Sequence, residues 1–84
     1  MNTEELMQSL RTIVKPYAKS EEGFKNMTEN SDFLTDLKIN SANLIDVILD
    51  IENEFDIVID NASMEKMLTV KSAIDIVTAK LSEK

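Results

Sequence analysis

The chain has 84 residues, 43% of them hydrophobic, and a formal net charge of −7 with neither cysteine nor histidine. That length makes one small domain and that apolar content a folded one, while the negative charge argues against nucleic acid, whose phosphates would be repelled. The missing residue types exclude a disulfide framework, a zinc thiolate site and a histidine-activated nucleophile.

A single Gly and a single Pro favour helices over strands and tight turns. The start, Asn2-Thr3-Glu4-Glu5-Leu6, has acids where a secretory leader has a basic segment, and no apolar run follows. No signal peptide is therefore expected, and the expected location is cytoplasmic. No stretch approaches the roughly 20 apolar residues of a membrane span.

Asn2 or Thr3 caps a first predicted helix, about residues 3–16, with Glu4 and Glu5 in its first turn. Leu6, Leu10, Ile13, Val14 and Tyr17 trace one apolar face. Pro16 removes a helical hydrogen bond, so this helix ends or kinks between Val14 and Ala18. Lys19 to Asp32 is polar and reads as a long surface loop, pinned by Phe24 and Met27, with room for one helical turn. Phe33, Leu34, Leu37 and Ile39 then return apolar side chains to the core.

The central element is a helix over about residues 41–55, preceded by the cap-forming pair Asn40-Ser41. Leu44, Val47, Ile48, Ile51 and Phe55 recur at the spacing of a buried face. At roughly 100° per residue, Ala42, Ile45 and Leu49 fall on a second apolar face. Asp46, Asp50 and Glu54 form an i, i+4, i+8 acidic column beside it. Like charges so spaced oppose the helix by roughly 0.2–0.5 kcal/mol per pair, so the column points to docking of a basic partner. Asp56 to Asp60 reads as an extended connector that buries Ile57 and Ile59, with no second strand to pair with. A short helix over about 62–67 follows, and Thr69 caps a last one over about 70–82 whose core face is Val70, Ala73, Ile74, Val77 and Leu81. Met64 and Met67 are expected in the core.

Taken by itself, Ser41 is a plain helix cap. With no histidine and no Gly-x-Ser-x-Gly elbow, a serine hydrolase is excluded and no catalytic residue is expected. The carboxylates from Asp50 to Asp60 lack the mid-loop Gly of a calcium site, so no metal site is expected. Ser63-Met64-Glu65-Lys66 matches a Ser-x-x-Lys pattern in a chain far too short for the enzymes that use it, which leaves Ser63 a cap or turn residue.

Phe33-Leu34-Thr35-Asp36-Leu37, then Asn40-Ser41-Ala42, Ile45-Asp46 and Ile51-Glu52-Asn53-Glu54-Phe55, resembles the core motif of acyl carrier proteins. The match continues through Ile57-Val58-Ile59-Asp60, Glu65-Lys66-Met67 and Thr69 to Asp75, and so covers about the last two-thirds of the chain. Asn40 stands where the family usually has Asp, Ala42 where it has Leu, and Lys38 replaces a common Gly. The resemblance implies an all-α, four-helix acyl-carrier-type bundle, three longer helices and a short one with a long first loop, forming a single monomeric carrier domain over residues 1–84. It implies that Ser41 bears 4′-phosphopantetheine taken from coenzyme A by a phosphopantetheinyl transferase, and that an acyl chain rides on that arm as a thioester. The partners it implies are ketosynthase- or acyltransferase-type enzymes of fatty acid, lipid or polyketide synthesis with basic docking surfaces. They would meet Asn40, Ala42, Ile45, Asp46, Leu49, Asp50 and Glu54. The alternative readings are an unmodified helical adaptor that uses the same acidic face, and a carrier of an aminoacyl group such as D-alanine.

Overall fold

Five helices follow one another along the chain, α1 Thr3–Val14, α2 Glu21–Lys25, α3 Ser41–Phe55, α4 Asn61–Lys66 and α5 Val70–Glu83, in a computed structural model that describes residues 2–83. Met1 and Lys84, the ends of the expected 1–84 domain, lie outside the described residues. The architecture is an all-α bundle, with no β-strand among the described residues.

Each helix starts where a side-chain oxygen can take an orphan backbone N–H. The Asn2 side chain accepts from Glu5 N at 2.9 Å to open α1. Leu6, Leu10 and Val14 then bury one face. The helix stops at Val14, two residues short of the expected end, because Pro16 has no N–H with which to continue the ladder. Instead the chain closes a turn in which Tyr17 N and Ala18 N both donate to Val14 O at 2.9 Å.

The second helix is the turn for which the long first loop has room, and it makes five helices among the described residues beside the four expected. Ser20 Oγ accepts from Gly23 N at 3.0 Å and starts α2 inside what reads as a loop. Five residues cannot sustain a helix alone. This one is held from outside, with the Arg11 guanidinium stacked 4.8 Å from the centroid of the Phe24 ring.

From Met27 to Asn40 the chain has no helix, yet its backbone is well tied. Asp32 forms an antiparallel bridge with Thr69. Phe33 N donates to Leu68 O and Val70 N to Ser31 O, both at 3.0 Å. Within the segment, Asp36 Oδ2 accepts from Asp32 N at 2.7 Å, while Asp32 Oδ1 accepts from Leu34 N at 2.8 Å and Thr35 N at 3.1 Å. Phe33, Leu37 and Ile39 are buried as expected, and Leu34 is half-buried. Lys38 takes a left-handed backbone conformation, φ 55°, which costs a residue with a Cβ about 1 kcal/mol.

The core is built around α3, whose Leu44, Val47, Ile48, Ile51 and Phe55 are all buried. They pack with Val70, Ala73, Ile74 and Val77 of α5 and the apolar face of α1. Asp56, also left-handed at φ 53°, ends α3. The connector after it buries Ile57 and Ile59 and exposes Val58. It is fixed by Glu52, whose Oε2 accepts from Ile59 N at 2.8 Å.

Asp60, not Ser63, caps α4. Its carboxylate accepts from Ser63 N at 3.3 Å and from Ser63 Oγ at 2.8 Å, and pairs with Lys80 of α5 at 3.2 Å. Those bonds hold the Asp60 carboxyl down at about 2, against an ordinary 3.8. Met67 is fully buried behind α4, whereas Met64 is half-buried. Thr69 Oγ1 accepts from Ser72 N at 3.2 Å and starts α5, whose Leu81 is half-buried.

Candidate functional site

Ser41 occupies the first helical position of α3, with its side chain exposed. The capping oxygen comes from Asn40, whose Oδ1 accepts from Ala42 N at 2.8 Å. That division leaves the Ser41 hydroxyl free of the capping task. No acidic residue lies in the first turn of α3, while α1 and α2 carry Glu4-Glu5 and Glu21-Glu22 there. The positive end of a long helix dipole is thus uncompensated at Ser41.

Below Ser41, the outer face of α3 presents Ala42, Ile45, Asp46 and Leu49 together. Ile45 is 52% and Leu49 47% exposed, one helical turn apart, and with Ala42 they make an apolar stripe open to solvent. Asn40 is exposed at the same end.

The three acids are not equivalent. Asp46 points to solvent. Asp50 is half-buried, and its Oδ2 accepts the Tyr17 hydroxyl at 3.0 Å. The nearby carboxylates raise the Tyr17 pKa, chiefly through that hydrogen bond. Glu54 is exposed at the far end, where it borders a shallow groove with Glu5, Gln8 and Thr12 of α1. The column therefore slants from the outer face toward α1.

Tyr17 is the neighbour that periodicity misplaces. It lies beyond α1, in the turn that Pro16 forces, and only its ring packs against the core. The signal available in the sequence is its amphipathic character: a Tyr at the end of an apolar face buries its ring and needs a partner for its hydroxyl. Among the described residues no group of His, Cys, Asp and Glu side chains could hold a metal ion. No described helix is long and apolar enough to cross a membrane.

No family model matches the chain. The acyl carrier protein of Coprothermobacter proteolyticus is 31% identical over 84 residues, the whole of both chains. The acyl carrier protein of Thermotoga maritima is 30% identical over 78 residues, covering 93% of this chain and 94% of that one. The chain belongs to the acyl carrier protein family. The crystal structure of an acyl carrier protein from Thermotoga maritima matches with a TM-score of 0.73 at 26% identity, covering 99% of this chain and 98% of that one. The acyl carrier fold thus extends over the entire bundle, α1 and α2 included, beyond the two-thirds that carries the motif. Members of this family are carriers, not enzymes, and the exposed side chains of α3 belong to a protein that is acted upon.

Proposed function

We propose that this acyl carrier protein bears 4′-phosphopantetheine on Ser41, transferred from coenzyme A by a phosphopantetheinyl transferase. The thiol of that arm would hold the acyl chain as a thioester. The observation that carries the reading is the exposed Ser41 at the start of α3, with capping delegated to Asn40. The site suits the group chemically. A phosphodiester adds one negative charge, and the first turn of α3 carries no acid to oppose it.

The residues of the outer face then divide the work. Asp46, Asp50 and Glu54 attract Lys- and Arg-rich surfaces of ketosynthase- and acyltransferase-type enzymes of fatty acid, lipid or polyketide synthesis. Asn40 and Ala42 border the attachment point, and Ile45 and Leu49 supply the dry centre of the contact. The carrier acts as a monomeric, single-domain cytoplasmic protein.

Intact mass tests the proposal. After reaction with a phosphopantetheinyl transferase and coenzyme A, the wild-type chain is expected to gain the mass of one phosphopantetheine group, and Ser41→Ala none. Modification that persists in Ser41→Ala, for instance on Ser31 or Ser63, contradicts the assignment. No gain in the wild-type chain with several transferases favours the unmodified adaptor.

A further inference from the structure

The single glycine of the chain, Gly23, sits in the middle of α2, a poor place for a residue that weakens helices. It is not there for an unusual backbone, since no glycine has a positive φ. The reason is proximity. A Cβ built on Gly23 would overlap the carbonyl oxygen of Asp36 and lie 2.9 Å from its carbonyl carbon and 3.1 Å from Ser20 Oγ. The obstacle is backbone, which cannot swing aside as a long side chain could. The α2 backbone therefore lies directly on the turn that leads to the modification site.

Other bonds join the same two segments. Lys19 N and Ser20 N donate to Leu37 O at 3.1 and 3.3 Å. Within the turn itself, Leu37 N donates to Asp32 O at 3.1 Å, and Ile39 N to Phe33 O at 2.9 Å. Asp36, under Gly23, also closes the turn through its carboxylate on Asp32 N. From Leu37 the chain needs only Lys38, in its left-handed conformation, and the buried Ile39 to reach Asn40 and Ser41. The carrier helix thus starts from a segment braced on its outer side by α2.

We propose that Gly23 is a positioning residue for modification at Ser41, an inference that rests on Ser41 being the attachment site. The absence of a side chain lets α2 seat against Asp36, and that seating fixes where the Ser41 hydroxyl is presented. The outer face of α3, proposed above as the docking surface, supplies none of the three atoms nearest a Cβ on Gly23. Displacing the turn should therefore affect the chemical step and leave docking intact.

The test is steady-state kinetics of a phosphopantetheinyl transferase with coenzyme A and the full chain, wild type against Gly23→Ala. A clash with backbone forces a shift of the order of 1 Å, and misplacement on that scale costs up to about 100-fold in rate. The expected result is a fall in kcat of roughly tenfold or more, with KM for the carrier within about twofold. Amide NMR shifts are expected to move over residues 32–42 and to hold in α5. Equal kcat, or a rise in KM with kcat unchanged, overturns the proposal. If Gly23→Ala does not fold, Ser20→Ala removes the α2 cap without a clash. It is expected to lower kcat about threefold at constant KM, and an unchanged kcat overturns the proposal in the same way. A wild-type chain that takes up no phosphopantetheine removes the Ser41 reading and this one together, and is told apart by appearing without any substitution.

Discussion

The two faces of α3 carry similar side chains and meet opposite surroundings. On one, Val47 and Ile51 have no exposed surface and Phe55 has 7%; on the other, Ile45 and Leu49 keep about half of theirs, with exposures of 52% and 47%. Both faces are apolar, so hydrophobicity alone does not separate them. What separates them is company. The inner face meets α1, α5 and the returning segment at Phe33 and Leu37, whereas the outer face meets solvent and a slanting line of carboxylates. One helix therefore holds the fold and offers a surface, and the two tasks can be broken separately.

The largest expected effect is on the inner face. Phe55→Ala should cost about 3–5 kcal/mol, a large part of a small domain's stability, and lower Tm by roughly 15 °C or more. A thermal melt that barely moves would mean that Phe55 is not part of the core.

On the outer face the same truncation should act on binding. Leu49→Ala is expected to weaken docking to a transferase or synthase by roughly 1–2 kcal/mol, mainly through faster dissociation, with Tm within a few degrees of wild type. Surface-plasmon kinetics alongside a melt would check it. A large loss of stability would make Leu49 a core residue.

A smaller effect tests the approach to α3. Lys38 holds φ 55°, a conformation that glycine adopts freely. Lys38→Gly removes about 1 kcal/mol of backbone strain but adds disorder to the unfolded chain, for a net gain of roughly 0.5 kcal/mol. A chemical denaturation midpoint that falls would show the turn to be unstrained.

The smallest effect lies away from both faces, at the cap of α4. The Asp60 carboxyl sits at about 2 instead of 3.8. A depressed folded-state value stabilises above the unfolded one and is lost as pH falls through the folded one. Asp60→Asn should therefore melt below wild type at neutral pH, with the gap closing between about pH 4 and pH 2. A gap that persists at pH 2 would assign the difference to packing instead of charge.

How much of this was legible in the sequence follows from the range of each interaction. The core face of α3 could be read because Leu44, Val47, Ile48, Ile51 and Phe55 report on one another within a few turns. The buried Ile57 and Ile59 around an exposed Val58 were legible as alternation. Helix α2 was legible only as room for one helical turn near Phe24, because its support is remote: Arg11 stacks on Phe24, and Gly23 lies against Asp36. Spacing places Tyr17 on the α1 face, and nothing local announces its bond to Asp50, 33 residues away. The sequence leaves Ser63 a cap or turn residue, and the cap is Asp60, three residues earlier, with a charge and a lysine on α5 to hold it. The left-handed backbone at Lys38 follows from the path of the chain and from no property of lysine.

Charge reversal at Asp46 tests the separation of the two faces most directly, read as association kinetics at low and high salt together with a thermal melt. Asp46 is exposed on the outer face, and Asp46→Lys removes a repulsion with Asp50 one turn on, so stability should hold or rise slightly. Association with a basic partner should slow several-fold at low salt and lose most of its salt dependence, with dissociation little changed. If Asp46→Lys unfolds the domain, or leaves association at low salt as fast as in the wild type, the outer face of α3 is structural and the partner docks elsewhere.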